Sequence, residues 1–399
     1  MKNRTILIAT TLFMSALACN IPGATVEPED TLATSVAATL AAEGIFTPEE
    51  NTVIPEDENL LPHSLYYLEE PEDGLTQVWR LERDGITHTQ LTFELEPVLD
   101  YAVNPVDGSL AYVVGTQIYW VDATGAGRLL LAEGAAVEGS DAEVYRNRIS
   151  NPIWSLDGAT LAYAEGGVVF LDVISGEKRV LVENEIEDLG DGNLIPRRLY
   201  FPEMFSPDGS KLLVNIGFLE GGTLAILDPD TSEVVFFGEG IVCCHPAWTN
   251  DGQVVVASPY LGLIDSGLWR YDTSSGSEEV LIPSLSPDET FNFVGWPMQL
   301  PNGDFQYFYA STPEYPEGET DFILVRSSSD GSTDRTPLRP ETFSDFRQAL
   351  WAPDGSFIIV IQPEFGDTPS GQGPLLMINT EETPIFPLGF NGSDLAWGP

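Results

Sequence analysis

The chain has 399 residues, and its 62 Asp and Glu against 17 Lys and Arg leave a formal net charge of −45. Such an excess of carboxylate opposes phosphate contact over most of the surface and argues against a nucleic-acid or other polyanionic partner. With 43% apolar and 10% aromatic residues, the composition is far from that of a disordered protein, so most of the chain is expected to fold.

Lys2 and Arg4 precede the apolar run from Ile6 to Ala18, the charged-then-apolar order of a secretory signal, and the run is too short to span a bilayer comfortably. Residues 1–18 are therefore read as an export signal. The run ends in Ser15-Ala16-Leu17-Ala18-Cys19, which resembles a bacterial lipobox, with Ala16 where Leu is usual. The resemblance implies that Cys19 is the lipidated first residue of the mature chain, held to a membrane by that lipid alone. Cleavage by a general signal peptidase after Ala16-Leu17-Ala18 is the alternative. Residues 19–60 follow as a tether. From Asn20 to Leu60 there is no Lys or Arg and one aromatic, Phe46, among nine carboxylates. Such a segment buries too little apolar surface to offset its ordering entropy, and repulsion among its carboxylates keeps it extended. Only residues 31–42, with Asp30 as N-cap, carry the pattern of a short helix.

Residues 61–399 are organised by a repeat of about fifty residues. A phrase ending in Asp-Gly or Asn-Gly recurs with its Asp or Asn at 107, 157, 208, 251, 302 and 354, at spacings of 50, 51, 43, 51 and 52. Behind each turn comes an apolar run (LAYVV, LAYAE, LLVNI, VVVAS, FQYFYA, FIIVI), and then a second (IYWVD, VVFLDV, LAILD, LWRYD, FILVR, LLMIN). Short β-branched and aromatic runs between such turns are strands, and the Asp-Gly pairs supply the positive φ of two-residue hairpins. Each repeat thus predicts a four-stranded antiparallel meander. One meander cannot cover both its apolar faces, so neighbours stack, and a radial arrangement achieves this. The ends are complementary. Residues 64–92 supply the second to fourth strands of a repeat without its first, while Ser393 to Pro399 reproduce a first strand, with Trp397 matching Trp351 and Pro399 matching Pro353. The expected fold is all-β: a seven-bladed β-propeller, closed by the C-terminal strand completing the N-terminal blade and so removing two sheet edges.

The segments 152–163, 205–214, 246–256 and 350–360 resemble the TolB-type, WD-repeat-like propellers, whose hallmark is P-x-W-S-P-D-G before an apolar strand and an "IYVMD"-like strand. The resemblance covers most of residues 63–399 and is degenerate near Gln299 to Gly303. It implies a periplasmic or surface-exposed protein-binding scaffold. No TolB amino-terminal domain is visible, and that family's propeller has six blades, so its own partners are not carried over.

No nucleophile-elbow, zinc-protease, P-loop or C-x-x-C motif occurs. The three His are His63, His88 and His245; the first two are expected at solvated positions. Cys243-Cys244-His245 is the most unusual local feature, open to three readings: buried free thiols, a vicinal disulfide, or a thiolate and imidazole metal site. Loops entering the innermost strands and loops joining second to third strands share one propeller face. That face gathers Arg146, Arg148, Arg197, Arg198 and Arg347, able to receive a carboxylate in bidentate fashion or else to pair with the adjacent acids Asp141, Glu143, Glu183, Glu185, Glu187 and Asp188. Tyr260, Tyr315 and Phe365 lie on long loops of the same rim, as protein- or glycan-contacting aromatics do. The expected binding set is therefore Arg148, Arg198, His245, Arg347, Tyr260, Tyr315 and Phe365, with no catalytic residue, metal or cofactor assigned.

Two functions follow. The first is a monomeric, lipid-anchored, extracytoplasmic scaffold in the cell envelope, binding an envelope protein, peptide or glycan at the channel-mouth face. The alternative is a polysaccharide-acting hydrolase or lyase that uses channel-mouth carboxylates, Arg and His.

Overall fold

A computed structural model describes residues 59–399, except 72–73, 136–146, 191–193, 219–220, 238–244, 260–264, 315–319, 345, 363–370 and 382–383. The signal, Cys19, the tether, Cys243, Cys244, Arg146, Tyr260, Tyr315 and Phe365 lie outside the described residues.

The described chain forms β1 (Leu65–Glu69), β2 (Gln77–Leu81) and β3 (His88–Gln90), then β4 (Val98–Val103), β5 (Leu110–Val114), β6 (Gln117–Val121) and β7 (Leu129–Glu133). Next come β8 (Ser150–Trp154), β9 (Thr160–Ala164), β10 (Gly167–Asp172) and β11 (Lys178–Glu183), followed by β12 (Glu185–Asp188), β13 (Leu194–Phe205), β14 (Leu212–Phe218), β15 (Gly221–Leu227) and β16 (Val234–Phe236). The remainder comprises β17 (His245–Trp248), β18 (Val254–Ser258), β19 (Gly267–Tyr271) and β20 (Glu278–Ile282), β21 (Phe291–Gln299), β22 (Phe305–Thr312), β23 (Phe322–Ser327) and β24 (Thr336–Phe343), and β25 (Gln348–Trp351), β26 (Phe357–Ile361), β27 (Gly373–Asn379) and β28 (Phe386–Trp397). Neighbouring strands are antiparallel throughout. They assemble into four sheets of four strands, one of five and one of seven.

The seven-stranded sheet runs β25-β26-β27-β28-β1-β2-β3. Its long strand β28 pairs with β27 through Phe386 to Gly392, and then with β1 through Ser393 to Trp397, where Trp397 faces Leu65 and Ala396 faces Tyr66. The five-stranded sheet gains its extra member from a hairpin that the repeat pattern does not announce: β12 folds back on the first half of β13, with Glu185 opposite Arg198 and Asp188 opposite Leu194.

Sequence position within a repeat dictates burial. Second strands such as Leu110–Val114, Val254–Ser258 and Phe357–Ile361 are buried at every residue, because a neighbouring sheet covers each face. Outer strands such as Lys178–Glu183 are mostly exposed. Six apolar clusters bridge one sheet to the next, and a seventh joins the two halves of the seven-stranded sheet. Tyr66, Leu68 and Val78 meet Tyr101 and Tyr112; Ala111 and Ile118 meet Trp154 and Tyr163; Ala162 and Val168 meet Tyr200 and Val214; and Leu213 and Ile226 meet Val254 and Tyr271. Val255 and Leu268 then meet Phe305 and Tyr307, Phe308 and Leu324 meet Ile358 and Val360, and Ile359 and Leu375 meet Leu65 and Tyr67.

The turn glycines Gly108, Gly158, Gly209, Gly252, Gly303 and Gly355 all have positive φ, between 68° and 92°, whereas the preceding Asp or Asn does not. The expected two-residue hairpin is thereby corrected. The Gly158 amide donates to the Ser155 carbonyl while Ser155 pairs with Thr160, so the turn is type I, followed by a left-handed glycine. The Asp serves as acceptor: Asp157 Oδ1 takes the Ser155 hydroxyl and the Ala159 amide, and Asp208 Oδ1 takes the Ser206 and Ser210 hydroxyls.

First strands are tied by indoles. Trp154 Nε1 donates to the Ala102 carbonyl at 3.3 Å, Trp351 Nε1 to Trp296 at 3.0 Å and Trp397 Nε1 to Trp351 at 2.7 Å. Trp397→Ala removes such a bond and the ring's packing on Phe357, so it is expected to lower unfolding free energy by about 3 kcal/mol; a urea titration measures this. Trp397→Phe, which keeps most of the packing, should lose only about 1 kcal/mol.

Candidate functional site

First strands of successive sheets lie side by side, β28 beside β4, β4 beside β8, β8 beside β13, and β17 beside β21. Along these strands the repeat diverges at one position, and the face they share is termed the inner wall. Six residues ahead of each turn Asp or Asn, where a simple repeat would keep one residue type, stand Tyr101, Asn151, Pro202, His245, Trp296 and Gln348, with Asp394 in the matching place on β28. Three of these, Asn151, Trp296 and Asp394, have φ of 52°, 48° and 53°, and the pairing register slips beside each. The first strands β4 and β13 also slip, next to Asp100 and Glu203. Bulges of this kind bend a strand and re-aim its side chains.

Three carboxylates lie at or beside these slips: Asp394 and Asp100 on the adjacent strands β28 and β4, and Glu203 on β13, beyond β8. Asp100 Oδ1 accepts the Tyr101 amide at 2.8 Å and its Oδ2 accepts the Asn151 amide at 2.7 Å. Burial and the nearby Asp394 charge push its carboxyl up to about 7, against the pull of those two amides and of Arg148. Tyr101 Oη donates to the Asp394 carbonyl at 2.5 Å, and burial raises the Asp394 carboxyl although water still reaches it along the inner face. Burial alone raises Glu203, which lines a cavity of about 330 Å³ with Asn151, Phe201 and Asn215.

The predicted binding residues scatter around this wall. Arg148 is exposed at the entry to β8 and acts electrostatically on Asp100. Arg198 lies on the β12–β13 hairpin, where its Nη1 meets Glu185 Oε1 at 2.8 Å and its guanidinium sits 4.8 Å from the Phe236 ring centroid. Its neighbour Arg197 is paired with Glu187. Two members of the expected anion-receiving cluster are thus already matched by acids of their own hairpin. Arg347 is exposed, with its backbone amide bonded to Ile361. His245 opens β17; its ring stacks on Trp296 at 4.0 Å and Nδ1 accepts the Trp296 amide at 3.3 Å. Burial lowers its pKa to about 4, so the imidazole is neutral at pH 7 with its proton on Nε2.

The sequence did not single out Asp100, Glu203 or Asp394. Any carboxylate pair is unremarkable among 62 acids, and the signal that separates these three is their register within first strands. His88 also departs from its expected solvated setting. It is enclosed by Trp79, Phe390 and Tyr67, with ring centroids at 4.3, 4.4 and 5.7 Å, and its Nε2 lies 3.3 Å from Glu69 Oε2.

A carboxyl raised by folding stabilises the protein fully below its unfolded pKa and loses that contribution as pH rises through the folded value. Glu203→Gln should therefore melt close to wild type at pH 4 and above it at pH 8. Calorimetric scans at the two pH values measure the difference, and a constant gap between the proteins would show that Glu203 is not desolvated.

No protein-family model and no curated protein matches the chain. Solved structures do resemble it. TolB from Acinetobacter baumannii aligns at 16% identity and a TM-score of 0.41, over 75% of this chain and 66% of that one. The S511A mutant of a puromycin hydrolase, complexed with PGG, aligns at 14% identity and a TM-score of 0.56, over 84% of this chain and 53% of that one. An oligogalacturonate lyase in complex with manganese aligns at 12% identity and a TM-score of 0.50, over 81% and 83%. The chain spans about two thirds of the TolB chain and about half of the hydrolase. At these identities the likeness is one of fold alone, an all-β protein of antiparallel sheets in a β-propeller architecture.

Proposed function

We propose that this chain is a lipid-anchored, extracytoplasmic, seven-bladed β-propeller that acts as a non-catalytic scaffold, binding an envelope protein, peptide or glycan at the face where the first strands begin. The seven-bladed reading divides the seven-stranded sheet at β28, whose first half completes one blade and whose second half completes another. The succession of apolar clusters, the last returning to Leu65 and Tyr67, supports closure. Location rests on the order of Lys2, Arg4, the apolar run and Cys19.

The observation that carries the scaffold reading is the state of the inner wall. Asp100 and Glu203 are desolvated, with the exposed Asp394 beside Asp100, while His245 is neutral, engaged at Nδ1, and approached by no carboxylate among the described residues. General acid–base chemistry needs a positioned donor and acceptor pair; recognition needs only a shaped, charged wall. The hydrolase or lyase alternative keeps one specific support, a carboxyl titrating near neutrality at Asp100 beside Asp394 and Arg148.

Mass spectrometry of the mature N-terminus is expected to find a lipidated Cys19, and Cys19→Ser should release the protein from membranes. Cross-linking of the full chain in its own envelope should yield a partner that Glu203→Lys loses. Turnover of an anionic glycan or peptide that His245→Ala or Asp100→Asn abolishes would overturn the scaffold reading.

A further inference from the structure

Away from the inner wall, a groove of about 760 Å³ opens on the flank between the β3–β4 connection and the sheet β4-β5-β6-β7. One side is the connection itself, where Phe93 is 73% and Leu95 93% exposed. The floor is set by register: Tyr112 faces Tyr119, and Tyr119 faces Leu130 on the outermost strand, so these three share one face of the sheet. Leu130 is 44% exposed, and its neighbour Leu129 57%. Leu130 carries this face onto the edge strand β7, beyond the Arg128 guanidinium that lies over Tyr119, and the outer side of β7 pairs with no strand among the described residues.

Outer strands elsewhere are guarded against pairing. β11 opens with Lys178 and Arg179, β20 with Glu278 and Glu279, and β24 contains Pro337, Arg339, Pro340 and Glu341. β3 and β16 have three residues each, and the outer part of β28 begins Phe386-Pro387. Charge, proline and brevity are the usual devices that stop an edge from templating another strand. β7 carries a single charge, Glu133 at its end, and leaves Leu129-Leu130-Leu131-Ala132 apolar, with Leu129 and Leu130 exposed.

We propose that β7 and this groove form a docking site for an extended, basic segment of a partner protein, which adds a strand to the β7 edge and lays apolar side chains on Leu130 and against Phe93 and Leu95. Charge decides among occupants. A second copy would bring another net charge of −45 to the same place, and like charges at an interface suppress association. Within the groove Glu94 is neutralised by Arg128, at 2.6 and 3.0 Å, whereas Glu96 lines it with no ion pair among the described residues, and Glu133 ends the strand. Lys or Arg alternating with apolar residues meets Glu96 and Glu133, the latter bonded among the described residues only by the Gln117 amide, together with the apolar strand. A sugar is less suited, because the Arg128 guanidinium lies 3.6 Å from the Tyr119 ring centroid and covers the face on which it would stack. Strand addition supplies main-chain hydrogen bonds for affinity and leaves specificity to alternate side chains. This site stands apart from the inner wall and does not depend on it.

The test uses the full chain and a labelled dodecapeptide of alternating Lys and Val, followed by fluorescence anisotropy. Binding should weaken with salt, and should be lost when Glu replaces Lys in the peptide. Leu130→Lys should weaken it at least tenfold, as should Phe93→Ser, while Val180→Lys on the exposed β11 edge should leave it unchanged. Amide hydrogen exchange over residues 129–133 should slow in the complex. Equal affinity for the Glu peptide, indifference to both Leu130→Lys and Phe93→Ser, or unprotected β7 amides would each overturn the proposal, as would self-association of the free chain that Leu130→Lys abolishes.

Discussion

The pairing of β28 with β1 holds the architecture together, because it joins residues from opposite ends of the chain into one sheet. Sheets that stack by covering each other's apolar faces leave a terminal face bare unless the last meets the first. Here Leu61, Leu65 and Tyr67 from the start of the folded body pack with Ile359, Leu375 and Leu395 from its end. Gly398 fits only because it has no side chain: a Cβ there would come within 2.6 Å of Tyr66. The inner wall inherits its arrangement from the same junction, since Asp394 reaches Asp100 through the strand that makes it.

Charge is distributed with economy. Five of the cations serve as clasps between sheets: Arg80 donates to the Ala123 carbonyl, Arg179 to Pro229, Lys211 to the Thr273 hydroxyl, Arg270 to Ser329, and the buried Arg339 to Asn379 and Glu381. Each reaches from one sheet to a turn of the next. Many acids are used locally. Asp122, Asp172, Asp228, Asp272 and Asp330 accept amides of their own turns, which hold their carboxyls below the usual range. Carboxylates stabilised where they sit, with cations bridging the seams, allow a strongly anionic chain to remain compact.

Much of the fold was legible because its determinants are local. An Asp-Gly pair needs a left-handed glycine wherever it closes a turn, so Gly108, Gly158 and Gly355 announce their repeats without reference to anything distant. The complementary ends were legible for the same reason, Trp397-Gly398-Pro399 reading as a first strand by comparison with Trp351. The inner wall was not. Whether Asp100 is a solvated surface acid or a desolvated one near neutrality depends on Asn151 and Asp394, which are remote in sequence; Tyr101 and Asp394 are 293 residues apart. The slips at Asn151, Trp296 and Asp394 carry no residue-type signature either, since Asn and Asp tolerate positive φ but Trp does so only under tertiary constraint. His88 was misjudged on the same grounds, because Phe390, which helps enclose it, arrives from the last strand.

The twelve-residue strand β28 pairs with β27 along its first part and with β1 along its last, and this imposes an order on biosynthesis. Sheets made of consecutive strands can form as they leave the ribosome, but β1 must wait with one edge unpaired until the final residues are free. Throughout that interval the nascent body exposes both the β1 edge and the Leu65–Tyr67 face, the surfaces that chaperones recognise and that aggregate when left open. Premature termination before Ser393 would leave every truncated product with this edge of β1 unpaired, however many intact sheets it contained.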